Sequence, residues 1–446
     1  MSATIQKHWK RRVTGLIRGE HVLTHNLIVG AGTISAGLLG VAFQSLVSHQ
    51  LRPADFGAAF AVVTLITFIG LPASAFTLMM ARETSRGRAS GHQAPSAALL
   101  RGARRALLLL GVVLGGVLAL GSTLLSKFFD VPAELLLAAS VGIPFGFVLP
   151  LLLGELQGEE RFADYAILST GQAALKLLAA VAFGVVLGPF GVIAGISVAT
   201  IIAYAVALRM VRRKLAIHVS LPWLRPAAKY LAVVVPSTLA LAVLVSSDVL
   251  LVKHYFPTRT AGEYAAVAAI GRAIFWGASG VAIVLFPKVA FRTAQGRSGL
   301  QVVAASLVLV ALGGVAALTV LSFTSTWLLG AFAGSLYVPG ASYLPWYAVG
   351  MMLLGAVAVL IATHQSHGRP GFLAILLPLA ALEPLLIASY HQSVLQVVQV
   401  MDISMGLVAV ALTGWYLLGE RAQRTVISVS PSAASIQAVP QMQVNR

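Results

Sequence analysis

Long apolar runs recur along this chain, and they leave few folds open to it. Many exceed about 18 residues without a charge, and Lys, Arg, Asp and Glu collect in the gaps between them. About 20 residues at 1.5 Å rise cross a hydrocarbon layer of roughly 30 Å. Inside that layer only a helix or a closed barrel can satisfy its own backbone. Runs of this length, without alternation, therefore predict an all-α polytopic membrane protein. Only 10% of the 446 residues are Asp, Glu, Lys or Arg, against roughly a quarter in a soluble domain.

About twelve spans are expected, at roughly 27–49, 57–81, 103–126, 134–157, 164–187, 189–208, 229–255, 262–286, 299–322, 338–363, 371–390 and 395–418. The shortest link is Leu187-Gly188-Pro189-Phe190-Gly191. Gly and Pro there favour a hairpin over one long helix. The basic start of the chain (Lys7, Lys10, Arg11, Arg12, Arg18) precedes an apolar run too long for a cleaved signal, and it lacks a small-x-small cleavage site. We read that run as a retained first span.

Charge asymmetry orients the spans. One set of alternate loops holds the basic N-terminus and Arg82, Arg86, Arg88, Arg101, Arg104 and Arg105. It also holds Arg209, Arg212, Arg213 and Lys214, then Arg225, Lys229, Lys288, Arg292 and Arg297, and finally Arg421, Arg424 and Arg446. The other set holds only Arg52, Lys127, Lys253 and Arg259. By the positive-inside rule both ends are cytoplasmic. The net charge of +17 then belongs beside anionic lipid, so no nucleic-acid partner is expected. The chain contains no cysteine, which excludes disulfides, thiolate catalysis and cysteine-held metals.

The basic sixth loop divides the spans six and six. The expected organisation is a basic segment 1–26, an N-lobe 27–208, a linker 209–228, a C-lobe 229–418 and a largely disordered tail 419–446. The halves carry a faint repeat. His49-Gln50-Leu51-Arg52-Pro53-Ala54-Asp55-Phe56-Gly57 and Lys253-His254-Tyr255-Phe256-Pro257-Thr258-Arg259-Thr260-Ala261-Gly262 each place a Pro turn and then a Gly that opens a helix. Duplication explains this; so does the ordinary form of a Pro-turn hairpin. Pro72, Pro144, Pro150, Pro236 and Pro345 fall in or near spans and can kink them.

Ionisable groups deep in a span are costly and mark candidate sites. Lys176 and Arg272 fall near the midplane, one in each half, and so does Glu383. Asp248 and Asp402 lie further out, and Lys253 lies close to the outer mouth. Lys176, Arg272, Lys253 and Arg52 are candidates to hold an anionic group such as a diphosphate in a cavity between the halves. Asp248, Glu383 and Asp402 are candidates for ion coupling or for charge pairing. Three intramembrane bases against three acids keep plain structural pairing open. His364 and His367 are expected in a solvated turn, and so is the cluster Glu159, Glu160 and Arg161. No Walker loop, HExxH or Gly-x-Ser-x-Gly is present. An enzyme is not expected, nor a cofactor or metal, and with no ATP motif any driving force must come from ion or substrate gradients.

Three segments carry a resemblance. Leu51-Arg52-Pro53-Ala54-Asp55-Phe56-Gly57 is one. Leu156-Gln157-Gly158-Glu159-Glu160-Arg161-Phe162 with Tyr165 is another. The third runs from Ser247 to Val289, through Asp248, Lys253-His254-Tyr255, Pro257, Gly262, Tyr264, Gly271 and Leu285-Phe286-Pro287-Lys288. In order and spacing they resemble the bacterial polysaccharide (oligosaccharide-lipid) flippases of the multidrug/oligosaccharidyl-lipid/polysaccharide exporter superfamily.

The resemblance implies two six-helix lobes around a central cavity, in the bacterial cytoplasmic membrane. It implies translocation of polyprenyl-diphosphate-linked oligosaccharides for O-antigen, capsule or exopolysaccharide synthesis. The partners expected are that lipid-linked oligosaccharide, membrane lipids and the polysaccharide polymerase machinery. Relatives that flip the peptidoglycan precursor carry a cation inside the first span. This chain has none there, which argues against that substrate. An ion-coupled multidrug or toxin extruder of the same fold is the alternative, and it would favour an acidic site. A membrane glycosyltransferase, ligase or polymerase would need a large outer loop, whereas the longest one expected here is only Phe323 to Tyr337.

Overall fold

The computed structural model describes residues 31–216, 225–294, 299–367 and 370–429. All regular structure among them is helical. The first half holds α1 (Ala31–Gln50), α2 (Pro53–Gly70), α3 (Ala75–Ala89), α4 (Ala94–Leu120), α5 (Ser122–Phe129), α6 (Ala133–Gly158), α7 (Phe162–Met210) and the short α8 (Arg212–Leu215). The second half holds α9 (Arg225–Tyr255), α10 (Thr258–Ala294), α11 (Leu300–Ala333), α12 (Leu344–His367), α13 (Leu373–Ser389) and α14 (Val394–Val429).

Among the described residues ten helical stretches are long and apolar enough to cross a membrane. One of them, α7, turns back on itself. Gly188 leaves the helix at φ 58° and ψ −142°, immediately before Pro189. Across this turn Gly191 lies against the carbonyl of Phe183, and Gly195 lies against Ala179, so the two arms are antiparallel. The positive φ is open to glycine at little cost, and Pro fixes the restart. The 37-residue α10 is a further helix of spanning length.

Leucine, valine and aromatic side chains stay exposed along α4, α7 and α11, including Leu109, Val117, Leu120, Val186, Leu312 and Phe323. Such continuous apolar surface suits hydrocarbon and not water. Prolines shape several helices. Pro72 sits in the 3-10 turn Leu71–Ser74 that joins α2 to α3, and Pro144 and Pro150 lie inside α6. Each removes a helical N–H and admits a bend.

The main core is shared between the halves. Phe56, Phe60 and Val62 of α2 pack in one cluster with Val245 and Val249 of α9 and Tyr264 and Ala268 of α10. The tightest crossing lies between two glycines that the sequence repeat had aligned. Gly57 is the fifth residue of α2 and Gly262 the fifth of α10. A Cβ on Gly57 would come within 2.9 Å of the Gly262 backbone, and a Cβ on Gly262 would collide with the carbonyl of Pro53. The openings of α2 and α10, which the sequence repeat matched, therefore cross in close contact.

The connections at that arginine-poor end are short. α11 continues to Ala333, and the 3-10 helix Ser335–Tyr343 leads into α12. Most of the segment from Phe323 to Tyr337, expected as a loop, is therefore helix.

Candidate functional site

The two halves are joined by a buried polar cluster. Arg272 of α10 donates from Nη2 to Asp248 Oδ1 of α9 at 3.1 Å and to the Val245 carbonyl at 2.6 Å. From Nη1 it donates to Thr64 Oγ1 of α2, in the other half, at 3.1 Å. Its guanidinium also lies 5.4 Å from the ring centroid of Phe60 in α2. The second oxygen of Asp248 accepts from the hydroxyls of Tyr264, at 3.0 Å, and Tyr347 of α12, at 2.9 Å. Asp248 is fully buried and Arg272 is 8% exposed. A charge taken out of solvent this far needs a partner of opposite sign and donors for its remaining lone pairs, and this arrangement supplies both. Gly271 admits the Tyr347 ring, for a Cβ there would strike it.

One residue before Asp248, Ser247 donates to Glu383 Oε1 of α13 at 2.8 Å. Glu383 Oε2 is buried with no hydrogen-bond partner among the described residues. Asp402 of α14 packs against Gly350 of α12, and its Oδ1 also lacks a partner there. Buried polar atoms left unpaired are rare and call for an explanation.

The four cations singled out in the sequence have different surroundings. Arg272 is engaged as described. Lys253 is 2% exposed and pairs with Asp130 across the halves at 3.4 Å. Arg52 is exposed at the N-terminal boundary of α2. Lys176, on the first arm of α7, is half-buried. Its ammonium lies 4.6 Å from the ring centroid of Phe43 in α1, and no carboxylate pairs with it among the described residues. Of the expected charge matches, only Arg272 with Asp248 forms.

At the arginine-poor end the halves are fastened together. Ser45 Oγ donates to the Phe332 carbonyl at 2.7 Å, and the buried Tyr337 hydroxyl donates to the Leu51 carbonyl at 2.8 Å. His254 stacks on Phe128 with centroids 3.9 Å apart, and its Nδ1 meets the Phe128 carbonyl. At the basic end Arg82 of α3 covers the ring of Tyr230 in α9, 5.5 Å from its centroid.

One solvated-turn expectation is corrected, while Glu159, Glu160 and Arg161 do lie at a turn, with Glu160 exposed. His364 is buried in α12, bonded through Nε2 to the Leu412 carbonyl at 3.1 Å and stacked on Phe372. Its neighbours are helices, so it is a packing residue; the side chain of His367 lies outside the described residues. Glu159 and Arg161 belong to an ordered network. Arg161 bonds Asp164 at 2.7 Å, Glu159 at 3.3 Å and the Met210 carbonyl at 2.9 Å. Lys214 is buried against Glu155 at 3.0 Å and Glu159 at 3.5 Å. Glu155 and Lys214 were passed over in the sequence because one looked like a span terminus and the other like one more loop cation. No group of three His, Cys, Asp or Glu that could hold a metal occurs among the described residues.

With this geometry in view, known structures supply the fold. An inward-facing multidrug resistance MATE transporter of the MOP superfamily superposes with a TM-score of 0.70 at 14% identity, over 91% of this chain and 99% of that one. The lipid II flippase MurJ, in an inward closed conformation, superposes at 0.66 and 13% identity, over 86% of each chain. A MOP superfamily transporter from Pyrococcus furiosus, described as having a binding pocket of reverse polarity, gives 0.57 at 13% identity over 91% of this chain and 95% of that one. This chain has the MATE and MurJ fold. No family model matches the sequence, and no curated protein does.

Proposed function

We propose that this protein is a flippase that moves polyprenyl-diphosphate-linked oligosaccharide across the bacterial cytoplasmic membrane by alternating access. In this reading the chain crosses twelve times. The two arms of α7 and α10 count as separate passes, α2 and α3 form one, and α5 and α8 do not cross. Both termini and the basic loops face the cytoplasm, and the fastened arginine-poor end is the closed outer gate. The halves act as an N-lobe and a C-lobe that rock about the α2–α10 crossing.

The observation that carries the proposal is Lys176. It lies fourteen residues beyond Phe162, or about 21 Å along α7, and is half-buried with no carboxylate pairing it among the described residues. An uncompensated ammonium at that depth suits an anionic cargo. A diphosphate head cannot cross hydrocarbon unaided because of its desolvation cost. Arg272 is the second cation of this reading: its bond to Thr64 of the other half breaks when the lobes move apart, while Asp248, in its own half, stays beside it. Lys253 and Arg52 stand on the outer side, where the cargo leaves.

The MurJ neighbour, whose name states a lipid-linked cargo, agrees with this chemistry. An ion-coupled drug extruder is the second reading, favoured by the MATE neighbours and by the unpaired oxygens of Glu383 and Asp402. Those carboxylates serve ion coupling under either reading.

The test is a leaflet assay in cells depleted of the protein. Lipid-linked oligosaccharide should accumulate on the cytoplasmic side, and Lys176→Met should do the same at normal protein abundance. Normal translocation on depletion, with no redundant transporter, refutes the flippase reading. Unimpaired transport by Lys176→Met removes Lys176 from the path.

A further inference from the structure

A cavity of about 580 Å³ opens at the basic end of the first half, away from the Arg272–Asp248 cluster. Its walls are the α6–α7 turn, the end of the second arm of α7, and α8. They present five basic side chains, Arg161, Arg209, Arg212, Arg213 and Lys214, against one acid, Glu159. The two sets of bases differ in what they do. Arg161 and Lys214 are committed to Glu159, Asp164, Glu155 and the Met210 carbonyl, and they make a rigid floor. Thr84 of α3 donates to the other oxygen of Glu155, so the floor is anchored to a third helix. Arg209, Arg212 and Arg213 are exposed and have no ion pair among the described residues.

We propose that this cavity binds a phosphate-bearing anion through Arg209, Arg212 and Arg213. A flat basic surface would attract anions diffusely. Here three arginines line one concavity whose other bases are already paired with carboxylates, and guanidinium groups engage phosphate oxygens in pairs. The site lies where the second arm of α7 leaves the apolar layer, level with the headgroups on the basic side. Two sources can supply the chemistry: the headgroup of an anionic phospholipid, or free phosphate. The proposal stands independently of the cargo, since no residue of the Arg272–Asp248 cluster takes part.

The experiment uses the full chain in nanodiscs of three kinds. One is phosphatidylcholine alone, one adds phosphatidylglycerol, and one is phosphatidylcholine with inorganic phosphate in the buffer. The readouts are the midpoint of thermal unfolding and the lipids retained in native mass spectra. The triple variant Arg209→Gln, Arg212→Gln, Arg213→Gln is compared with an equal charge loss elsewhere on the same side, Arg86→Gln, Arg88→Gln, Arg105→Gln.

Stabilisation of the wild type by phosphatidylglycerol, lost in the first variant and kept in the second, supports the site with lipid as its source. The same pattern with inorganic phosphate alone supports it with a soluble source. Equal loss in both variants means diffuse surface attraction and overturns the proposal, as does stabilisation of the wild type by neither ligand. Should the triple variant fail to fold, Arg212→Gln alone decides. Binding weaker by roughly fivefold is expected for one basic residue near the surface, and unchanged binding overturns the proposal.

Discussion

Removing the negative charge of Asp248 should weaken the fold more than the removal of any one of its neighbours. In Asp248→Asn, Arg272 keeps only the Thr64 hydroxyl and the Val245 carbonyl, both neutral, while staying 8% exposed. Leaving one member of a buried pair without its partner costs about 3–5 kcal/mol. The new amide also offers donors to an environment already made of donors, Arg272 and the hydroxyls of Tyr264 and Tyr347. Arg272→Met leaves the converse problem, a carboxylate held by two hydroxyls alone. The double variant has no buried charge at the site and should recover much of the loss. The expected coupling in the cycle is therefore large, at least about 2 kcal/mol, as for contacting members of one network. Unfolding of the purified protein by titration with SDS in mixed micelles measures each corner. Tyr264→Phe and Tyr347→Phe should each cost less, about 1–2 kcal/mol. Losses in the two single variants that merely add in the double would refute the argument, for then the charges would not depend on each other.

Gly262→Val should lower the unfolding midpoint sharply, because the new side chain meets the Pro53 carbonyl and the backbone cannot yield; overpacking of this kind costs about 1–3 kcal/mol or more. A midpoint like that of the wild type would mean that α2 and α10 do not cross there. Tyr337→Phe removes the hydroxyl that holds the Leu51 carbonyl and should increase labelling of a single cysteine placed at Ser48 from the arginine-poor side. The native chain has no cysteine to confuse that measurement, and unchanged labelling would show that the contact does not hold that end shut.

The class of fold was plain in the sequence because hydrocarbon imposes a length and an apolar character on each crossing. The Gly188-Pro189 turn was legible too, since those residues accept a backbone geometry that others resist. The glycines at 57 and 262 were visible as matching positions, but that they touch could not be read, for a one-dimensional pattern carries no contact between distant helices. The charges were harder for the same reason. Counting intramembrane acids and bases suggested a balance, yet it could not say that Lys253 reaches across to Asp130, outside the counted set. Depth alone gave Arg272 and Lys176 equal standing. Only the neighbours, Asp248 for one and Phe43 for the other, separate a guanidinium paired with a carboxylate from an ammonium with none beside it among the described residues. His364 misled because a histidine just past the expected end of a span, at 363, looks solvated until α12 is seen to run on to His367 with His364 packed inside the bundle.

The meeting of residues 57 and 262 reaches beyond packing. Where two backbones cross this closely, a methyl group on either helix has no room, since each glycine faces main chain of the other. Only the residue that brings nothing to such a confrontation can be used on both sides. A six-helix unit pairing with an identical copy would have faced that restriction from the start, and any single change in it would have struck the contact twice. Within one polypeptide that identity requirement is absent, so each half is free to carry its own charges, as α7 with Lys176 and α10 with Arg272 do, while the crossing itself stays bare.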